Sequence, residues 1–369
     1  DEASFGKFAA LKYPIEVITT GSKWAEGPLW MENDGIPFLL YSDVRLNKIY
    51  RWEEGKGFFT IGKTVYLEKS GCKSDDMKYC DSIYQPGSNG IAPLFPPTDL
   101  GISSSSGDLD MVICQHGERA ITLQRNNGTR IFLATHYKGK KLNSPNDLIW
   151  TPEGHLYFTD PTYGLYKKKI NNHGSNNDSE ERIYDKDLEE LPHSGLYMIH
   201  RSEIIKSLES GQPTNNVILI DKKMSHPNGL ALSPGYSKLY VSNSNVNDMY
   251  WKVYDVNTNG LATKGTIFYN ATNNIKSQHI SGSGSGIGVP DGLKVDFYGN
   301  IYATGPGGVI IFNSNGKIIG KIHCDRPISN VAFGDNGYIY MTAEDLVLRK
   351  KLFTKSPKPL QYKLGKGKH

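Results

Sequence analysis

Residues 144–160 of the sequence read SPNDLIWTPEGHLYFTD, which is the pattern of a short strand, a tight turn and a second short strand. An Asn-Asp pair stands where the first strand begins, and an Asp ends the second strand. The same pattern, in which one polar residue opens an apolar strand, returns five more times, at Glu26, Asn89, Asn228, Asp291 and Asn330. Six similar segments in one chain indicate a repeat protein.

Further strand-like segments follow each opening residue, and they give five of the six repeats four predicted strands. The predicted fourth strands are Gly57–Ile61, Thr129–Ala134, Asn216–Ile220, Gly265–Tyr269 and Ile318–Ile322. The sixth repeat lacks a fourth strand of its own, and the segment Ile15–Thr19 is expected to supply it and close a ring. Four-stranded units of about 40 to 50 residues are the signature of a β-propeller. The sequence therefore predicts an all-β, six-bladed propeller in which residues 1–369 form one domain.

The composition fits many short strands and little helix. The 369 residues include 22 Tyr, 13 Phe, 39 Gly and 19 Pro, and no long helical period is visible. The net charge of +4 is small, and a Lys-rich tail supplies much of it, so nucleic acid is not an expected partner. No apolar run approaches the roughly 18 residues that a membrane-spanning helix needs.

Two kinds of residue bear on the cellular compartment. Three Asn-x-Ser/Thr sequons stand in polar, loop-like surroundings at Asn127, Asn177 and Asn270, and they are candidate glycosylation sites. The chain starts at Asp1 without Met, which is consistent with removal of a signal peptide. We therefore expect a secreted protein or one of the secretory pathway, with a cytoplasmic protein as the alternative.

The four cysteines show no metal-binding spacing. Cys72 and Cys80 bracket one polar loop, and we predict a disulfide between them in an oxidising compartment. Cys114 and Cys324 lie in strand-like runs, and Cys114 is predicted to be a buried thiol. The alternative is four free thiols in a cytoplasmic protein.

The residues that open the six repeats predict a metal site. In a propeller the first strand of each blade is innermost, so its opening residue points into one end of the central channel. Here all of these residues carry a side-chain oxygen: Glu26, Asn89, Asn146, Asn228, Asp291 and Asn330. Buried oxygens without partners are costly, and two carboxylates repel each other, unless a cation lies between them. Oxygen-only ligands favour Ca²⁺, with Mn²⁺, Fe²⁺ or Zn²⁺ as alternatives.

Turn chemistry is the competing explanation for some of these residues. Asn-Gly and Asp-Gly are common turn sequences because Gly tolerates a positive φ. For Asn89 and Asn330, turn formation and metal binding are equally good explanations. Turn formation does not account for Glu26, nor for the recurrence of polar residues at one position of otherwise apolar strands.

Six motifs match a known family. They are EGPLW at 26–30, YSD at 41–43, NSPND at 143–147, FTDPTYG at 158–164, HPNGL at 226–230 and PDG at 290–292. Through them the chain resembles the gluconolactonase, regucalcin and luciferin-regenerating enzyme family of six-bladed propellers. The resemblance implies a divalent-metal lactonase whose metal ligands are Glu26, Asn146, Asn228 and Asp291. Diisopropyl fluorophosphatase is a more distant relative by fold and ligand set, which keeps a promiscuous phosphotriesterase-like activity as an alternative.

The expected reaction is hydrolysis of a sugar lactone or a related small lactone, by attack of water on a metal-polarised carbonyl. Asp291 is the candidate general base, and Asn89, His116 and Tyr163 are candidates for contact with the substrate. No Gly-x-Ser-x-Gly, His-Glu-x-x-His or Cys-x-x-Cys motif occurs, which argues against serine hydrolase and zinc protease chemistry. A secreted, calcium-stabilised propeller that binds a ligand or partner without turnover is the alternative from another functional class.

Two positions depart from the family pattern. Asn243 ends the second strand of the fourth repeat where many members carry Asp, which we interpret as the loss of a carboxylate near the site. Ser144 stands where regucalcin-like members carry a substrate-binding Arg. This difference argues against the sugar-lactone specificity of the animal members and leaves that of the microbial members as the alternative. Asp160 is expected to orient a ligand or to support Asn146. The sequence names neither the lactone nor the oligomeric state.

Overall fold

The computed structural model describes residues 13–33, 35–55, 62–73, 77–94, 110–169, 181–272 and 288–352. Within these ranges the chain forms six antiparallel sheets of four strands each and two small two-stranded sheets. The first strand of each large sheet contacts the first strand of the next, and the sixth returns to the first. This is the predicted six-bladed β-propeller, and each large sheet is one blade.

The strands are numbered in chain order, and β1 (Glu16–Thr19) belongs to the last blade. Blade 1 contains β2 (Ala25–Asn33), β3 (Ile36–Asp43), β4 (Lys48–Trp52) and β5 (Lys63–Glu68). Blade 2 contains β6 (Ser88–Pro93), β7 (Met111–Gln115), β8 (Ala120–Gln124) and β9 (Arg130–Ala134). Blade 3 contains β12 (Leu148–Trp150), β13 (Leu156–Asp160), β16 (Gly195–Ile199) and β17 (Val217–Asp221).

Blade 4 contains β18 (Pro227–Leu232), β19 (Lys238–Asn245), β20 (Asp248–Val256) and β21 (Ala262–Asn270). Blade 5 contains β22 (Leu293–Val295), β23 (Ile301–Gly305), β24 (Gly308–Phe312) and β25 (Ile318–His323). Blade 6 contains β26 (Asn330–Phe333), β27 (Tyr338–Ala343), β28 (Leu346–Lys351) and β1.

The remaining described elements are short. The two small sheets pair β10 (His136–Tyr137) with β11 (Lys140–Lys141) and β14 (Tyr166–Lys168) with β15 (Arg182–Tyr184). The helices are α1 (Met77–Ser82), α2 (Arg201–Ser210) and two 3₁₀ turns at Tyr163–Leu165 and Lys186–Leu188. Helix α2 ends at Gly211, which has a left-handed φ of 69°.

The core lies between neighbouring blades. The middle strands are buried along their whole length, as in β7, β16 and β24, because both of their faces pack against other blades. The fourth strands are more exposed, and β21 is mostly exposed. Aromatic pairs cross between blades: the Trp251 ring of blade 4 packs edge-on against Phe312 of blade 5, with centroids 5.4 Å apart.

The predicted fourth strand of blade 1, Gly57–Ile61, is wrong. The strand that pairs with β4 is Lys63–Glu68, whose Leu67 lies opposite Ile49. Tyr66 and Leu67 pack against the apolar cluster between blades 1 and 2. Both segments contain apolar residues, and packing against that cluster, which the sequence does not display, selects the later one. Residues 56–61 lie outside the described ranges.

At the point where the ring meets itself, β1 pairs antiparallel with β28, and Glu16 lies opposite Arg349. The Arg349 Nε donates to Glu16 Oε2 at 2.8 Å, which adds an ion pair to this edge. Blade 6 is therefore built from three strands near the end of the described chain and one strand near its start.

Buried hydroxyl groups join the blades around the channel. Each donates from one blade to a backbone carbonyl of the next: Ser42 to Asn89 at 2.8 Å, Thr159 to Asn228 at 2.7 Å, Ser242 to Asp291 at 2.6 Å, Thr304 to Ser329 at 3.4 Å and Ser329 to Ala25 at 2.8 Å. Between blades 2 and 3 the Gly90 N–H donates to the Asn146 carbonyl at 2.7 Å. These bonds hold the backbone of the residues that open the first strands.

The structure contains the predicted disulfide between Cys72 and Cys80, whose Cα atoms are 5.8 Å apart. Cys114 is a buried free thiol, as predicted, and burial raises its pKa. Cys324 is free and half-buried.

Two of the candidate glycosylation sites, Asn127 and Asn270, are exposed. The third, Asn177, lies outside the described residues. Within the described ranges, no helix has the length and apolar character needed to cross a membrane.

Candidate functional site

The central channel has two ends, which we name by the direction of the first strands. The upper end is where β2, β6, β12, β18, β22 and β26 begin, and the lower end is where they finish. The six opening residues lie at the upper end because each stands within two residues of the start of its strand.

Neighbouring first strands approach closely at the upper end. A Cβ atom on Gly229 would lie 2.4 Å from the Asp291 carbonyl oxygen in the next blade. A Cβ atom on Gly90 would lie 2.7 Å from Asp147 Oδ1. Neither glycine has a positive φ. Glycine is therefore required because the adjacent strand leaves no space for a side chain, and turn conformation does not explain the Asn-Gly sequences here.

Glu26 and Asp291 are the carboxylates that the sequence predicted at this end. Glu26 is 3 % exposed, and its Oε2 accepts a hydrogen bond from the Gly27 N–H at 3.2 Å. Burial raises the pKa of Glu26 to about 8; the Gly27 N–H opposes this shift, and the charge of Asp147 adds to it. Burial, and next the charge of Glu26, raise the pKa of Asp291 well above its usual range. These carboxylates oppose each other's ionisation, which a cation between them would reverse.

Amide side chains surround the carboxylates. Asn228 hydrogen-bonds to Asp291, which lowers the pKa of Asp291 in part. The Oδ1 atoms of Asn89, Asn146 and Asp291 are buried and have no hydrogen-bond partner among the described residues. A buried oxygen left without a partner costs about 1–3 kcal/mol, so these atoms are poorly placed unless a ligand contacts them.

The residues present fit a hard divalent cation. Glu26, Asn146, Asn228 and Asp291 supply the carboxylate and amide oxygens that Ca²⁺ prefers. In the described part of the chain, no group of three or more His, Cys, Asp or Glu side chains is arranged to hold a metal ion. The predicted set is of a different kind, because two of its four members are amides. Asn330 hydrogen-bonds to Glu26, which fits a supporting role.

Tyr163 lies beside this group of residues. Its hydroxyl hydrogen-bonds to Ser244 and Asn228, and burial, followed by the charge of Asp291, raises its pKa. The Tyr163 ring lies 5.9 Å from that of His226, measured between centroids. The structure therefore brings Tyr163 into contact with the predicted ligand Asn228, and its contact with substrate stays a prediction.

His116 is fully buried in the turn between β7 and β8. Neither of its ring nitrogens has a hydrogen-bond partner within the described ranges. Burial lowers the pKa of His116 to about 3, so the imidazole is neutral at physiological pH. A Cβ atom on Gly164 would lie 3.0 Å from His116 Cβ, which places the histidine against the turn that carries Tyr163.

Asp160 supports the approach to Asn146, as predicted. Its Oδ2 and Oδ1 accept hydrogen bonds from the backbone N–H groups of Asn143 at 2.9 Å and Ser144 at 2.8 Å. Burial raises the pKa of Asp160 to about 7, against these two hydrogen bonds. Ser144 Oγ in turn accepts from the Gly164 N–H at 2.9 Å, so it fixes the turn that carries Tyr163.

Asn243 has the same structural role in blade 4. Its Oδ1 accepts from the His226 N–H at 2.9 Å, and its Nδ2 donates to the Asp248 carbonyl at 2.8 Å. In blade 1 the corresponding Asp43 accepts from the Lys23 N–H at 2.8 Å. The side chain at this position holds the segment that enters the first strand. These hydrogen bonds show the structural role of the Asn243 amide, and the loss of a carboxylate near the site at this position stays a prediction.

Two further residues at this end of the channel, Asp147 and His226, were not predicted as site residues. Asp147 is 5 % exposed, its charge acts on both Glu26 and Asp291, and its Oδ2 has no hydrogen-bond partner in the described chain. His226 has a buried Nδ1 that lacks a partner among the same residues, and burial lowers its pKa. Both occur in the motifs quoted above, next to or near a predicted ligand, and that proximity was the available signal.

Comparison with known families agrees with this geometry. Residues 24–345 match the model of the family described as SMP-30/Gluconolactonase/LRE-like region. The chain belongs to this family. The matched region runs from just before the first opening residue to the turn after β27, and it therefore includes all six first strands of the propeller.

Three relatives of the SMP-30/Gluconolactonase/LRE-like family illustrate the range of similarity. A gluconolactonase of Zymomonas mobilis is 32 % identical over 344 residues, which cover 92 % of this chain and 82 % of the relative. The solved structure of a gluconolactonase from Xanthomonas campestris is 24 % identical, with a TM-score of 0.65 and coverage of 93 % and 91 %. A calcium-binding regucalcin of Agrobacterium tumefaciens is 15 % identical, with a TM-score of 0.60 and coverage of 93 % and 95 %. The two structures support the propeller fold.

Proposed function

We propose that this chain is an enzyme that hydrolyses a small lactone, with a sugar lactone as the first candidate, and that it uses a divalent cation, with Ca²⁺ as the first candidate. The observation that carries the proposal is the pair of buried carboxylates, Glu26 and Asp291, whose pKa values are raised at the channel axis beside amide oxygens. The 32 % identity to a gluconolactonase supports the choice of substrate class.

Glu26, Asn146, Asn228 and Asp291 would hold the cation. When bound, the cation would supply the positive charge that polarises a lactone carbonyl. The Asp291 Oδ1 atom has no hydrogen-bond partner among the described residues and so can accept a hydrogen bond from a water molecule. Its carboxylate accepts a proton as the water oxygen bonds to the carbonyl carbon, and that proton passes to the ring oxygen as the ring C–O bond breaks. The product is one hydroxy acid.

Tyr163 and His116 would position the substrate over this group of residues. The Tyr163 hydroxyl is already hydrogen-bonded to Asn228 and Ser244, so its orientation is fixed before a ligand arrives. The neutral His116 can donate from one ring nitrogen and accept at the other, which suits the hydroxyl groups of a sugar lactone.

The test is hydrolysis of a δ-lactone and a γ-lactone by the purified protein, before and after treatment with a chelator. We expect turnover that the chelator removes and added Ca²⁺ restores. A phosphotriester assayed in parallel measures the promiscuous activity that the distant resemblance implies. Absence of chelator-sensitive turnover with every lactone would contradict the proposal and favour a binding protein that has no hydrolytic activity.

We also propose that the protein passes through the secretory pathway. The Cys72–Cys80 disulfide and the exposed sequons at Asn127 and Asn270 support this proposal. An N-glycosidase should increase the electrophoretic mobility of the protein isolated from its native source, and Asn127→Gln together with Asn270→Gln should reduce that shift. A native protein without glycan and with reduced Cys72 and Cys80 would contradict the proposal.

A further inference from the structure

A cavity occupies the lower end of the channel. Its volume is about 650 Å³, and none of the four predicted metal ligands lines it. Its walls begin at the opening residue Asn330 and, one residue beyond the upper end, at Gly27 and Asp147. They continue to the loops that follow the first strands, where Phe297 and Asp335 line the cavity. The cavity therefore opens on the face of the propeller opposite the candidate active site.

Apolar side chains form most of the wall. Leu29, Ile149, Val295 and Phe333 come from blades 1, 3, 5 and 6, so the apolar lining surrounds the axis. At the rim, Phe297 is 42 % exposed. A volume between about 300 and 1,000 Å³ with a mainly apolar wall is typical of sites for small organic ligands.

Two charged groups lie at the inner part of this cavity. Asp147 is 95 % buried and lines the cavity, and its Oδ2 has no hydrogen-bond partner within the ranges that the structure describes. Lys294 also lines the cavity, and its Nζ donates to the Leu293 carbonyl at 3.1 Å.

We propose that this cavity binds a small uncharged molecule that has an apolar body and one hydroxyl group, such as an alkylphenol. The apolar body would contact the wall at Leu29, Ile149 and Val295. The hydroxyl would donate to Asp147 Oδ2 and accept from Lys294 Nζ, which satisfies an acceptor and a donor with one group. A neutral ligand adds no further charge to a lining that already contains the acidic residues Glu32, Asp147 and Asp335 and the basic residue Lys294.

The first experiment is titration calorimetry of the full chain with 4-butylphenol, in the presence of a chelator so that a metal-dependent site does not contribute. We expect one saturable site with a dissociation constant on the order of 0.1 mM, given the size of the probe. The methyl ether 4-butylanisole, which cannot donate a hydrogen bond, should bind about tenfold more weakly. No saturable binding of the phenol up to about 1 mM would overturn the proposal.

Two substitutions test the location of the site. Ile149→Trp and Leu29→Trp add bulk inside the cavity, and each should reduce the affinity for 4-butylphenol by about tenfold or more. Ile36→Trp, at the exposed start of β3 and outside the cavity, is the matched control and should bind as the unsubstituted protein does. Undiminished affinity in both cavity variants would overturn the assignment.

A measurement on the unsubstituted protein keeps the proposal testable if the cavity variants do not fold. Crystals exposed to 4-bromophenol should show an anomalous bromine peak between Ile149 and Val295. A bromine peak only at the upper end of the channel, or none at all, would contradict a ligand site at the lower end.

Discussion

The two ends of the central channel are lined by the same six strands, but they differ in chemistry. At the upper end, the carboxylates of Glu26 and Asp291 and several amide oxygens are buried together. At the lower end, side chains such as Leu29 and Val295 form an apolar wall. The two ends adjoin within about one residue of the chain, because Asp147, next to the predicted ligand Asn146, already lines the lower cavity.

The difference shows how one repeated strand can serve two purposes. The opening residue of each strand is polar, and a hydrogen bond from the preceding blade holds its backbone or that of the residue before it, as Thr159 holds Asn228. The residues that follow belong to the strand itself, where apolar side chains pack or line the channel. The polar end is therefore costly to bury and suits a bound cation, whereas the apolar side chains at the other end offer a cation no ligands.

The largest expected effect comes from removing ligands at the upper end. Asp291→Ala and Asn146→Ala should each abolish high-affinity Ca²⁺ binding in calorimetry and reduce kcat/KM for a lactone by about 10³-fold or more, roughly 4 kcal/mol. Asn330→Ala is the control, because Asn330 also opens a first strand but is not one of the four predicted ligands. It hydrogen-bonds to Glu26 and lines the lower cavity. This variant should retain Ca²⁺ binding. Unchanged Ca²⁺ affinity in the first two variants would remove the chemical distinction between the two ends.

The buried His116 should make the free energy of unfolding depend on pH. Because burial lowers its pKa to about 3 in the folded chain, its contribution is fully present above the unfolded value near 6.5 and is lost as pH falls below it. Between pH 7 and pH 4 the loss should be roughly 3 kcal/mol. His116→Gln should lose correspondingly less in urea unfolding over the same range. Parallel pH profiles for the two proteins would show that the buried imidazole is not responsible.

Close approach of the strands should make the upper end intolerant of added atoms. Gly229→Ala should lower the free energy of unfolding by roughly 2 kcal/mol, because its Cβ would lie 2.4 Å from the Asp291 carbonyl oxygen. Gly235 lies in the loop after β18, and a Cβ atom added to it would have no atom of another described residue within 4 Å. Gly235→Ala should therefore change the free energy of unfolding by no more than about 0.5 kcal/mol. Equal unfolding midpoints in urea would contradict the close approach.

The smallest expected effect concerns the bonds between blades. Thr159→Val removes the hydroxyl that donates to the Asn228 carbonyl at 2.7 Å and should lower the free energy of unfolding by about 1 kcal/mol. Thr263→Val, on the exposed strand β21, is the matched control and should be nearly neutral. If the two variants unfold alike, the hydroxyl bonds do not stabilise the upper end.

Much of the architecture could be predicted because the repeat is local. The apolar strands after Glu26 and Asn228 follow from alternation and turn residues, and their positions match β2 and β18. The fourth strand of blade 1 could not be placed in this way, because packing of Leu67 between blades selects it. The hydrogen bonds of Asn243 to His226 and Asp248 could not be predicted either, since they join segments that only the fold brings together.

The sequence by itself determined the number of blades, the polar residue that opens each first strand and the motifs of the family, because these are properties of short segments. Only the tertiary structure decided which oxygens are buried without partners, and it alone revealed the cavity beneath them. The physical reason is that desolvation, mutual repulsion and empty volume depend on distances between distant parts of the chain, such as Glu26 and Asp291.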